Sequence, residues 1–125
     1  MNNHTKYLNK LLIEGCREGK LEVVKYLVAK GADIEADESE GLKVATQNGH
    51  LDIVKYLLEQ GAGRYANREE ILMLAAAHDH LDIVKYFIEE GIYLNRNKNW
   101  ALRLAIECGN LDVVKYLVKT MEKEQ

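Results

Sequence analysis

Residues 49–62 read GHLDIVKYLLEQGA, and the phrase is written four times in this chain. Its other forms are KLEVVKYLVAKGA from Lys20, HLDIVKYFIEEGI from His80 and NLDVVKYLVKTME from Asn110. Leu21, Leu51, Leu81 and Leu111 open the four phrases at a fixed spacing of 30 residues. Val24, Val54, Val84 and Val114 keep the register, as do Lys25, Lys55, Lys85, Lys115 and the tyrosines that follow them. Upstream, Leu12, Leu42, Leu72 and Leu102 repeat, each followed three residues on by Gly15, Ala45, Ala75 or Ala105. A fixed period of this size marks stacked supersecondary units, each too small to bury its own apolar face.

Each block reads as helix, turn, helix. On a wheel of 100° per residue from Leu51, Ile53, Val54, Leu57 and Leu58 fall between about 200° and 340°. Asp52, Lys55 and Glu59 fill a narrow polar strip at spacings that allow ion pairs. So wide an apolar arc needs both the partner helix and neighbouring blocks. Gly19, Gly49 and Gly109 stand where the first helix should end in a left-handed residue, with Asp79 in that place in the third block. Gly31, Gly61 and Gly91 end the second helix, but Met121 takes that place in the last block, so the final helix should run on. The boundaries predicted are repeats at about 1–30, 31–60, 61–90 and 91–120, with a charged tail over 121–125, in a single domain spanning 1–125.

These residues resemble the ankyrin repeat. "LKVATQNGHLDIVKYLLEQGA" is similar to that family's pattern L-x-L-A-x-x-x-G-H-L-x-I-V-x-x-L-L-x-x-G-A, and four blocks carry it. The resemblance implies an all-α solenoid of four stacked helix-turn-helix repeats that binds a protein partner through its concave face. The chain departs from the family in having no proline and no T-P-L-H opening; DESEGLKVA, NREEILMLA and NKNWALRLA stand there. This short form is similar to ankyrin arrays of giant DNA viruses, and it implies short or absent hairpin fingers. Locally, Asp37 with Glu40 and Asn67 with Glu70 have capping-box spacing, while Asn97 keeps the cap and Trp100 replaces the glutamate.

Composition narrows the function. A net charge of -3 speaks against nucleic acid, whose phosphates require a concentrated basic face. No stretch reaches the length of a membrane span, and MNNHTKYLNK is too polar for a secretory signal. A cytoplasmic protein is expected, in the host cytoplasm if the chain is viral. Cys16 and Cys108, three blocks apart, are expected to be free thiols. No catalytic residue, metal ligand or cofactor is expected: His78 and His80 read as turn residues, and no glycine-rich phosphate loop is present. The row of tyrosines reads as packing between blocks.

The first helices vary where the second helices do not. With Leu42 as origin, Glu40, Lys43, Thr46 and Gln47 fall on a groove-facing arc, and Val44 and Ala45 face the stack. The matching positions are Glu70, Met73, Ala76 and Ala77, then Trp100, Arg103, Ile106 and Glu107. The candidate groove is therefore Glu40, Lys43, Gln47, Met73, Ala77, Trp100, Arg103 and Glu107. Asp33 to Glu40 holds five acids and no base, and Arg96 to Arg103 three bases and no acid, a polarity suited to orienting a partner. A structural spacer without a partner, or an adaptor for a host ubiquitin ligase, are the competing readings. The tail KTMEKEQ leaves no room for the C-terminal segment an adaptor would need. At the ends, Glu14 replaces Val44, Leu74 and Leu104, which predicts a polar outer face on the first block and no block before it. The fourth block repeats the internal pattern unchanged, which predicts a monomer with weak association through its C-terminal face.

Overall fold

The computed structural model describes residues 2–63, 68–91 and 98–123, with Lys98 described in its backbone alone. The described residues form eight α-helices and no strand. They run α1 (Asn3–Glu18), α2 (Leu21–Ala29), α3 (Ala36–Gln47), α4 (Leu51–Glu59), α5 (Arg68–Ala77), α6 (Leu81–Glu89), α7 (Lys98–Glu107) and α8 (Leu111–Lys123). The chain divides into two compact units, Met1–Asn67 and Arg68–Gln125. In the first, α1 packs on α2 within its repeat and on α3 of the next, and α2 meets α4. In the second, α5 packs on α6 and α7, and α7 and α6 both meet α8. First helices thus lie on first helices and second on second, as a 30-residue period requires.

The turn between the helices of a repeat is built identically four times. The amide of Lys20, His50, His80 or Asn110 donates back to the carbonyl of Gly15, Ala45, Ala75 or Ala105 at 2.8–3.0 Å. That bond closes the first helix, and the residue before the donor is left-handed: φ is 76° at Gly19, 78° at Gly49 and 72° at Gly109. Asp79 occupies the same conformation at φ 62°, as its place in the register predicts. The acceptor residues are small because they are enclosed. A Cβ on Gly15 would come within 3.2 Å of Val24 Cγ2, and Ala45, Ala75 and Ala105 are fully buried.

The second helices α2, α4 and α6 stop after nine residues each, before Gly31, Gly61 and Gly91, whose φ values are 107°, 95° and 65°. Without such a stop α8 continues for 13 residues. Val24, Ile53, Val54, Leu57, Ile83, Val84, Phe87, Val113 and Leu117 are the buried residues of these helices at 0–6% exposure together with Leu27. Val113 and Leu117 therefore belong to the core of their own unit. On the last helix Leu111 and Val118 are exposed and Val114 and Tyr116 half-buried.

The entry to α3 overturns the expected capping box at Asp37 and Glu40. Asp37, Glu38 and Ser39 form one left-handed turn, with φ of 54°, 58° and 63°. A residue in that conformation lacks the extended backbone of an N-cap. Three such residues in a row are each disfavoured by roughly 1–2 kcal/mol, so something must hold them. The holding group is Glu35, whose amide donates to Asp33 Oδ1 at 2.9 Å. Its Oε2 accepts from Ser39 Oγ at 2.7 Å and its Oε1 from the Gly63 amide at 3.0 Å. Ser39 is fully buried in consequence. The corresponding caps at Asn67 and Asn97 lie outside the described residues.

Candidate interaction surface

Of the candidate groove residues, Glu40, Lys43 and Gln47 lie half-buried on α3 in the first unit. In the second unit Met73 and Ala77 lie half-buried on α5, and Trp100, Arg103 and Glu107 stand exposed on α7. Because α5 and α7 pack side by side in register, Met73 matches Arg103 and Ala77 matches Glu107. Trp100 is 55% exposed, and the Arg103 guanidinium lies 5.5 Å from its ring centroid. A guanidinium over an indole face holds that ring in one orientation at a cost in entropy already met before any partner arrives. Beside the pair is a hollow of about 390 Å³, lined also by Asn99, Leu102 and Ile106.

Two positions read as groove-facing are not. Thr46 and Ala76 are fully buried, and Thr46 Oγ1 donates to the Leu42 carbonyl at 2.8 Å. Their equivalent in the first repeat, Cys16, is fully buried as well, with Sγ 3.2 Å from where a Cβ on Gly41 would stand. This register position therefore points toward the following repeat. Ile106 occupies it in the fourth repeat, where it is 59% exposed and lines the hollow beside Trp100 and Arg103. The clue in the sequence is size: the position holds Cys, Thr, Ala and then Ile.

The outward face of the first repeat also differs from expectation. Glu14 is exposed, but it is only the rim. Beneath it α1 and α2 enclose a hollow of about 420 Å³ with Leu11, Val23 and Leu27 on its floor and Lys20 at its edge. Replacing one apolar residue by Glu14 changes the border and leaves the floor apolar.

Within each unit, side chains just before the later second helix fasten one repeat to the other. His50 Nε2 lies 3.0 Å from the Arg17 carbonyl of the repeat before it, and Asn48 Nδ2 donates to the same oxygen at 3.2 Å. Asn110 Nδ2 donates to the carbonyls of Ala76 and Ala77 at 2.7 and 3.1 Å. These bonds satisfy carbonyls that the end of a helix leaves without partners. The tyrosines bridge repeats in a different way. Lys25 Nζ stands 5.8 Å from the Tyr56 ring centroid and Lys85 Nζ 5.7 Å from that of Tyr116. For Tyr56 and Tyr116 packing between blocks thus takes the form of cation–π contacts on partly exposed rings, whereas Tyr26 is 61% exposed and meets Lys30 of its own block.

Among the described residues no three His, Cys, Asp or Glu side chains converge to hold a metal ion. Cys16 and Cys108 are free thiols. Burial pushes the Cys16 thiol up to about 12, which keeps it protonated and unreactive at neutral pH. No helix among the described residues is long and apolar enough to cross a membrane.

The family profile described as ankyrin repeats (3 copies) matches residues 1–66 and 42–125. Among known proteins, an ankyrin repeat protein of Acanthamoeba polyphaga mimivirus is 44% identical over 43 residues. That stretch covers 34% of this chain and 20% of the viral protein, so the match spans a fifth of that relative's length.

Proposed function

The chain belongs to the ankyrin repeat family, and from that premise we propose that it binds a protein partner through the face built by its first helices. Members of the family serve generally in protein–protein interaction without catalysis. The first helices here pack on one another between repeats and vary in sequence at positions that the second helices keep nearly constant. The residues proposed to carry the binding are Glu40, Lys43 and Gln47 on α3, Met73 and Ala77 on α5, and Trp100, Arg103 and Glu107 on α7.

The observation that carries the proposal is Trp100. A tryptophan 55% exposed beside a hollow, with Arg103 stacked on it, has the makeup of a binding hot spot: a large apolar surface already fixed in place. Met73, half-buried on the adjacent helix of the same unit, adds an apolar side chain to this surface. The test is affinity capture from host-cell extract by the wild type and by a Trp100→Ala, Met73→Ala double variant. Proteins retained by the wild type and lost by the double variant, with unchanged helical content, support the reading. Identical capture by both would remove Trp100 and Met73 from the recognition surface and favour a spacer role.

A further inference from the structure

The third and fourth repeats differ in charge at the opening of the first helix. In the third block those places hold Arg68, Glu69 and Glu70, with Met73 one turn on; in the fourth they hold Lys98, Asn99, Trp100 and Arg103. The formal charge over the four positions goes from -1, one base against two acids, to +2, two bases and no acid. In the second block, too, an acid precedes the cation: Glu40 stands three residues before Lys43, at helical ion-pair spacing. The residues three and four places before Arg103 are an indole and an amide.

That exchange leaves Arg103 stacked but unpaired. Its guanidinium lies 5.5 Å from the Trp100 ring centroid. Among the described residues no carboxylate pairs with it, Glu107 one turn further on included. Met73, in register with Arg103 on α5, brings no charge. A guanidinium laid on a ring keeps its N–H edge free in the plane of the group, open to an acceptor from outside. The indole N–H of Trp100 and the side-chain amide of Asn99 carry no hydrogen bond among the described residues either. The hollow of about 390 Å³ is therefore bordered by donors from Asn99, Trp100 and Arg103 and by the apolar side chains of Leu102 and Ile106.

We infer that this hollow recognises an acidic peptide segment of the protein partner, one in which Asp or Glu stands beside a large aliphatic side chain. The inference rests on the reading of the first-helix face as the binding surface, and names what that surface selects. The carboxylate takes the free edge of the Arg103 guanidinium through paired, charge-assisted hydrogen bonds. The aliphatic side chain enters the hollow against Leu102 and the indole, and the Asn99 amide is left for a carbonyl of the partner's backbone. Stacking on Trp100 holds the guanidinium in place before contact, so less freedom is lost on binding. Single-stranded nucleic acid also uses stacking and cations, but it needs a row of cations that tracks its backbone. Helix α7 offers Lys98 and Arg103 beside Glu107, in a chain of net charge -3.

Panning random displayed peptides on the wild type should enrich sequences in which Asp or Glu adjoins Leu, Ile or Met. Panning on Arg103→Glu should enrich Lys or Arg instead. An enriched peptide, synthesised with both ends blocked so that only side chains carry charge, should shift the fluorescence of Trp100. Trp100 is the only tryptophan in the chain, so the signal reports this hollow. Replacing the peptide's acid by its amide, or Arg103→Gln in the protein, should each weaken binding about tenfold, and both together little further. Arg103 is exposed, so helical content by circular dichroism should be unchanged. Enriched peptides without an acidic preference, no enriched peptide that moves Trp100 fluorescence, or a stronger response to a single-stranded oligouridylate would each overturn the inference. Failure of the surface itself looks different. Host proteins captured through Trp100 and Met73 but indifferent to Arg103→Glu defeat the acidic specificity alone. Capture indifferent to Trp100→Ala and Met73→Ala defeats the face.

Discussion

The joint in the first unit and the joint in the second do the same work with different residues, and each choice constrains the other end. In the first, His50 spans to the Arg17 carbonyl, and its ring atoms come within 2.6–3.0 Å of where a Cβ on Gly19 would be. In the second, the shorter Asn110 spans to Ala76 and Ala77, and the position equivalent to Gly19 holds Asp79 with φ 62°. Conformation thus favours glycine at the left-handed residue in every repeat, but space excludes a side chain only where an imidazole lies over it. A smaller fastening side chain permits a larger turn residue.

The largest expected effect comes from exchanging the turn residues. Gly19→Asp should destabilise by roughly 2–4 kcal/mol, combining left-handed strain with a steric collision. Adding His50→Asn should recover the collision part, leaving about 1 kcal/mol. A double-mutant cycle by chemical denaturation measures this, and purely additive effects would dissolve the coupling between the two positions. Next, Asn110→Ala should cost about 1–2 kcal/mol, because two helix-end carbonyls lose one shared donor. A denaturation midpoint unchanged by it would mean that water replaces the amide without loss. Asp79→Gly should stabilise by a few tenths to about 1 kcal/mol, since nothing but strain separates the two residues there. A midpoint that falls instead would show that the Asp79 side chain contributes something the turn needs.

The smallest effect at neutral pH concerns the two thiols. Cys16 sits inside the first joint and Cys108 is exposed. At pH 8 a thiol reagent should label Cys108 readily and Cys16 only as fast as the protein opens. The Cys16 pKa is raised on folding, from 9.0 to about 12, so its contribution to stability is intact below about pH 9 and is lost as pH rises toward 12. Relative to Cys16→Ala, the wild type should weaken by up to about 1.4 kcal/mol per pH unit across that window. A flat difference between the two proteins would place the thiol in contact with water.

The helices, their ends and the run-on of α8 were legible in the sequence because they depend on short-range pattern: period, apolar phase and the residue at each stop. Asp79 was legible for the same reason. The face toward the next repeat was not. A helical wheel gives angles around one axis, whereas Thr46, Ala76 and Ile106 are sorted by how far each repeat is rotated against its neighbour. Two of them are buried and one exposed at the same angle. The left-handed turn at Asp37–Ser39 was hidden because Asp, Glu and Ser carry no propensity for it. Glu35 imposes it with help from Gly63, 28 residues away. The apolar floor under Glu14 is not legible at that one register position, because Leu11 comes from the first helix and Val23 and Leu27 from the second. Trp100 and Arg103 were legible as candidates by contrast with their counterparts, though their stacking needed coordinates.

His50 and Asn110 both reach backward, to the repeat already placed before them. In each of these two joints the later repeat brings the fastening side chain and the earlier one supplies a helix-end carbonyl, together with the space of Gly19 where the fastener is His50. A gene that gains or loses a whole block by slippage during copying would keep donor and carbonyl in step, because the donor travels with the inserted block and the acceptor is backbone. Insertions of any other length would separate donor from carbonyl. The hydrogen bond thus acts as a reading frame for duplication, admitting change in steps of one repeat.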